Sequence, residues 1–176
     1  HYDNIIIAEA RTDTHAIGKS LAVFSSSIGL SPEETMIQLL ITNGLGITIF
    51  GKTLLSKHLS AIARSPFSLF GSDGVGYGSS LAIGSRLTHP RSYGAAPRFL
   101  NRAVMKGALI TWEEAIKKMT SLPAGRLGIH GTRGLLKKGY YADIVIINPE
   151  TLTDTATYAH PYQHPKGIEY VFVNGQ

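Results

Sequence analysis

Apolar residues come in short blocks along this chain, and the spacing inside each block predicts an element. Ile5-Ile6-Ile7-Ala8 is short, apolar and β-branched, the pattern of a buried strand. Residues 18–24 place Leu21, Ala22 and Phe24 at helical intervals. Ser31-Pro32-Glu33-Glu34 is a helix start: Ser31 can cap, Pro32 suits the first helical position, and Glu34 completes a capping box. Met36, Ile37, Leu39, Leu40 and Ile41 then supply a face to bury, and Asn43-Gly44 a stop. Residues 47–50 read as a second buried strand. A helix is predicted over 53–64, with Leu54, Leu55, Leu59 and Ile62 at helical spacing and Pro66 ending it. Phe67-Ser68-Leu69-Phe70 reads as a third strand running into Gly71-Ser72-Asp73-Gly74. Strands and helices thus alternate to about residue 75, which predicts a parallel α/β sheet or barrel.

Beyond that point the pattern loosens. Residues 79–94 are rich in Gly and Ser, contain Pro90, and read as a long loop. Helices are predicted over roughly 96–105 and 112–121. The second begins with a capping box, Thr111-Trp112-Glu113-Glu114, carries Trp112, Ala115, Ile116 and Met119 on one face, and is closed by Pro123. Glycines then crowd together at 128, 131, 134 and 139. Two strands, within 142–149 and 168–173, mark the tail as β structure, with a boundary placed near residue 125.

Composition narrows the classes. At 176 residues the chain can bury a substantial core, but it falls short of the roughly 250 that a complete (β/α)₈ barrel takes. Its charged fraction, 16%, lies well under the ordinary ~25% and argues against disorder. With no Cys there are no disulfides and no thiolate metal sites. The net charge of +5 is spread out, its densest cluster only Lys137-Lys138, so no nucleic-acid partner is expected. No apolar run approaches the ~18 residues of a membrane span, so no membrane partner is expected either. The chain starts at His1 without Met and shows no signal peptide. It is read as processed or as a piece of something longer, and as cytoplasmic.

Four clusters bear on candidate chemistry. Asp73 sits just past an apolar strand and before a Gly, where parallel α/β folds gather their active sites. A carboxylate there can ligate a metal or move a proton, or simply cap the turn. The Gly74-Val75-Gly76-Tyr77-Gly78 turn suggests a phosphate cradle, but a dinucleotide fingerprint needs a helix to follow, and Gly84 and Pro90 oppose one. His89-Pro90-Arg91-Ser92-Tyr93-Gly94 groups a base, a guanidinium and a phenol. Arg91 could hold a substrate carboxylate bidentately and Tyr93 donate a hydrogen bond, or the loop could be tied down by its own polar groups. His160 and His164 have a zinc-like spacing, but Pro161 and Pro165 argue against a shared helix face, and both read as structural.

Taken together, Gly71-Ser72-Asp73-Gly74, His89-Pro90-Arg91-Ser92-Tyr93-Gly94 and Pro97-Arg98 resemble the D-aminoacylase (N-acyl-D-amino-acid deacylase) family of the amidohydrolase superfamily. So do the run from Glu113 through Ala124, the run from Gly134 through Val145, and the tail at Pro165-Lys166-Gly167-Ile168-Glu169-Tyr170-Val171. The resemblance is strong from about residue 71. Residues 79–88, His160 and Tyr162 depart from the family pattern. The resemblance implies an α/β fold: residues 1–125 as the C-terminal part of a metal-dependent hydrolase (β/α)₈ barrel, and 126–176 as part of a small β-sandwich domain. It implies hydrolysis of the amide of N-acyl-D-amino acids by zinc-activated water. Asp73 would be general acid/base and metal contact, and Arg91 and Tyr93 would bind substrate. The family's other metal ligands, an early H-x-H pair and later His residues, have no counterpart here. The isolated chain is therefore expected to be inactive, and to oligomerise or to need a missing N-terminal half. A hydantoinase-like or dihydroorotase-like cyclic amidase, and a non-catalytic assembly or binding module, are the alternatives.

Overall fold

The structure, a computed structural model, describes residues 1–76 and 86–176. These fall into two compact units. The first contains His1–Leu54, Gly76, residues 86–90 and Thr157–Tyr162. The second contains Leu55–Val75, Arg91–Ala156 and Gln163–Gln176.

In the first unit, β1 (Ile5–Ala10) is followed by α1 (Leu21–Ile28), α2 (Pro32–Thr42) and β2 (Ile47–Gly51). The helix expected from residue 18 starts later. Gly18 takes a φ of 84°, and Ser20 is the cap, its hydroxyl accepting from the Val23 N–H. The Ser31/Glu34 capping box forms as the sequence predicts. β1 and β2 pair antiparallel, with Ile5 opposite Gly51 and Ala10 opposite Ile47, where alternation had pointed to parallel pairing. A single crossover helix would return the chain parallel; two intervening helices add a further reversal.

The core of this unit gathers Ile7, Ala10, Ala16, Leu21, Phe24 and Leu39, with Met36 and Ile47 packed against it. β2 is not the buried strand expected, since Ile49 is exposed. α2 likewise buries only part of its apolar surface. Leu39 is covered, but Ile37 and Ile41 form a separate stripe one turn apart and face outward.

The second unit holds α3 (Ser56–Arg64), α4 (Arg91–Leu100), a π-helical turn at Asn101–Met105, α5 (Trp112–Met119), α6 (Ser121–Arg126), β3 (Ile144–Ile147) and β4 (Ile168–Phe172). Four expectations change here. Residues 67–70 are not a strand: no strand pairs with them among the described residues, and the Phe70 N–H instead donates to the Lys118 carbonyl at 3.1 Å. The loop expected over 79–94 ends early, because α4 already begins at Arg91; residues 79–85 lie outside the described residues, as do Tyr77 and Gly78 of the Gly-rich turn. Pro123 does not close α5, which ends at Met119. It occupies the third position of α6, where a missing N–H costs nothing. Finally, α3 buries none of its residues, so its apolar stripe is uncovered.

Thr111 and Glu114 form the second capping box. β3 and β4 pair antiparallel, Ile144 opposite Phe172, with a bulge between Ile146 and Ile147. Leu100, Ala115 and Leu152 make the core, joined by Trp112, Met119, Ile147 and Ile168. Among the described residues no helix is long and apolar enough to cross a membrane.

Candidate functional site

The candidate site lies in the second unit, where residues 71–75 meet the first turn of α4. Asp73 has a φ of 47°, in the left-handed region that non-glycine residues seldom occupy. The segment around it is pinned by two backbone donors. The Gly74 N–H donates to Ser72 Oγ at 3.3 Å, and the Val75 N–H to Ser92 Oγ at 3.2 Å. Gly74 suits this approach: a Cβ there would lie 3.1 Å from the Ser92 Cα and 3.3 Å from the Arg91 carbonyl oxygen, tighter than an ordinary contact.

The result is that two of the residues named from sequence meet. Arg91 Nη2 lies 2.8 Å from Asp73 Oδ2, and both side chains are open to solvent, 45% and 82% exposed. Arg91 is carried by a helix rather than a loop, which gives it a fixed origin. α4 is in turn anchored by Arg98, whose Nε lies 2.6 Å from Asp154 Oδ2, and by the close approach of Gly94 to Asp154. Asn101, just beyond, donates to the Leu152 carbonyl at 3.0 Å. Tyr93, the third residue named, turns its ring edge-on to His164, with centroids 5.8 Å apart.

The remaining sequence candidates go elsewhere. His89 belongs to the first unit, where it forms an aromatic trio with Phe50 and Tyr158; its Nε2 is 3.1 Å from the Tyr158 hydroxyl. His160 is in the first unit and His164 in the second, and among the described residues neither joins a group that could hold a metal. Among the described residues no three His, Cys, Asp or Glu side chains come close enough together to hold a metal ion. Asp73 offers one carboxylate, already ion-paired. The residues present here do not by themselves fit a zinc site.

Two further features bear on the chemistry. Asp143 accepts from the Asn174 N–H at 2.9 Å and pairs with Arg133, and these hold its carboxyl below the usual range. The pair ties β3 to the end of β4 and is remote in sequence from Asp73. Lys118 was passed over in the sequence, although its signal was present: a charge three residues after Ala115 on a face otherwise read as apolar. It is only 6% exposed.

The sequence profile described as "Amidohydrolase family" matches residues 57–176. Among curated relatives, the D-aminoacylase of Alcaligenes xylosoxydans xylosoxydans is 41% identical over 108 residues, covering 61% of this chain and 21% of that protein. The N-acyl-D-aspartate deacylase of the same organism is 32% identical over 161 residues, covering 92% of this chain and 30% of that protein. Among solved structures, the N-acyl-D-glutamate deacylase of Bordetella bronchiseptica, complexed with zinc and a phosphonate mimic of the tetrahedral intermediate, superposes with a TM-score of 0.85 at 29% identity. That match covers 99% of this chain and 34% of the other. The chain therefore spans about a third or less of the length of the proteins it resembles.

Proposed function

The chain belongs to the amidohydrolase family, and from that premise we propose that it is part of a zinc-dependent enzyme that hydrolyses N-acyl-D-amino acids to a D-amino acid and a carboxylate. On this reading residues 1–125 are the C-terminal part of the family's barrel and 126–176 part of its small β domain. Asp73 would contact the zinc, and its other ligands would come from the larger part of the protein, outside this chain.

The observation that carries the reading is the Asp73–Arg91 pair at 2.8 Å on an exposed rim. It sets a carboxylate able to move a proton beside a guanidinium able to grip an anion, the two groups this hydrolysis asks for on the substrate's amino-acid side. The substrate's free carboxylate competes with Asp73 for Arg91 and can engage its guanidinium bidentately. Asp73, released, accepts a proton from the attacking water as the new C–O bond forms. It returns that proton to the nitrogen as the C–N bond breaks, and the D-amino acid leaves as an amine.

In the whole protein, Asp73→Asn is expected to lower kcat by roughly 10²-fold or more with the fold intact. Arg91→Ala is expected chiefly to raise KM. Near-normal turnover in Asp73→Asn overturns the assignment. The absence of a metal-holding group among the described residues favours a narrower statement about the 176-residue chain alone: it is expected to retain no stoichiometric zinc after dialysis and to show no amidase activity, which metal analysis and a substrate assay check.

A further inference from the structure

We infer that Lys118 is a positioning residue whose buried ammonium holds in place the segment that presents Asp73. The inference rests on the role proposed for Asp73 and lies one step behind it.

α5 buries Ala115 completely, and Lys118, three residues on, shares that face. Its ammonium donates to the Ser65 carbonyl, to the Ser68 carbonyl at 3.0 Å and to Ser68 Oγ at 2.9 Å. An ammonium has three protons, and all three are taken. Among the described residues it forms no ion pair, so the charge is compensated by dipoles alone. One of those dipoles belongs to a helix end, since Ser65 is the C-cap of α3, where a cation is favoured. Such a buried charge is costly wherever its acceptors are not fixed. The acceptors here are fixed: Ser68 Oγ donates onward to the Ile62 carbonyl at 2.6 Å. The backbone of Lys118 adds a further tie, its carbonyl accepting from the Phe70 N–H.

One residue of α5 thus fastens Ser65, Ser68 and Phe70, and Asp73 follows three residues after the last of them. Residues 65–70 are not held by a strand ladder, so these ties replace one. A Leu or Met in place of Lys118 would fill the space but fix no carbonyl, and the direction in which the chain enters Gly71-Ser72-Asp73 would be lost.

The test uses the whole protein and three variants. Lys118→Met keeps the stem and removes the ammonium. It is expected to lower kcat by about tenfold or more, with KM within about twofold, while circular dichroism stays unchanged. Lys118→Arg, which donates to the same oxygens, is expected to recover most of that loss. Ser68→Ala removes one acceptor and is expected to give a smaller loss of the same kind. Amide hydrogen exchange over residues 65–73 is expected to quicken in Lys118→Met and not in Lys118→Arg. A folded Lys118→Met with unchanged kcat or unchanged exchange overturns the inference, and so does a loss that Lys118→Arg shares in full. If Lys118→Met does not fold, Ser68→Ala decides, and unchanged kcat and exchange there overturn it. Asp73→Asn measured alongside separates the two readings. Normal turnover in that variant removes the role of Asp73 and with it this inference. An inactive Asp73→Asn beside a fully active Lys118→Met removes only the positioning role.

Discussion

Asp13 shows how a single side chain ties local contacts to solution behaviour. Its carboxylate accepts from Thr42 Oγ1 at 2.7 Å and from Asn43 Nδ2 at 2.8 Å, joining the turn after β1 to the end of α2. The Thr42 hydrogen bond, with help from Asn43, holds the Asp13 carboxyl below its usual range. A carboxyl lowered on folding stabilises the native state above its unfolded pKa, and that contribution is lost as pH falls through the folded value. The midpoint of thermal unfolding is therefore expected to drop below roughly pH 4, and Asp13→Asn to flatten part of that fall. An identical pH profile in the variant would remove Asp13 from the account. At this same scale the candidate site was partly legible. Asp73 and Arg91 stood out because their residue types and glycine neighbours announce chemistry. Lys118 did not, because a lysine's burial depends on which carbonyls surround it, and those belong to a segment some fifty residues away in sequence.

At the scale of elements, local signals read well and partner-dependent ones did not. Both capping boxes form at the residues that spell them, since every hydrogen bond involved lies within four residues. Thr111→Ala removes one of these caps. It is expected to cost about 1 kcal/mol in denaturant unfolding of the second unit, and a change under a few tenths would show that α5 is held by packing alone. By contrast, residues 67–70 have a strand's composition and no strand partner among the described residues, and β2 has a buried strand's composition with Ile49 in solvent. Apolar periodicity reports what a segment can cover, not what is there to be covered.

At the scale of the molecule, that distinction becomes a property of the chain. Leu55, Leu59 and Ile62 line an uncovered face of α3. The β3–β4 pair exposes both of its faces, with Val145 opposite Val171 and Ile146 opposite Tyr170. Two-stranded sheets are marginal alone, and open edges and apolar faces invite association. The chain spans about a third of the length of the solved N-acyl-D-glutamate deacylase on which it superposes, and on the reading proposed above the rest of the protein would cover such surface. The 176-residue chain on its own is expected to self-associate as its concentration rises, which sedimentation velocity measures. A single monomeric species at every concentration would mean that these faces do not associate.

Lys117 and Lys118 stand side by side on α5, one exposed and the other buried with every ammonium proton donated. To an amine-reactive reagent they are opposites. Acylation needs a nitrogen that the reagent can reach, which the first offers and the second only when segment 65–70 lets go. The ratio of modification at two adjacent residues, read from a single peptide by mass spectrometry, is therefore a built-in gauge of how often that segment opens, with the neighbour as its own internal standard.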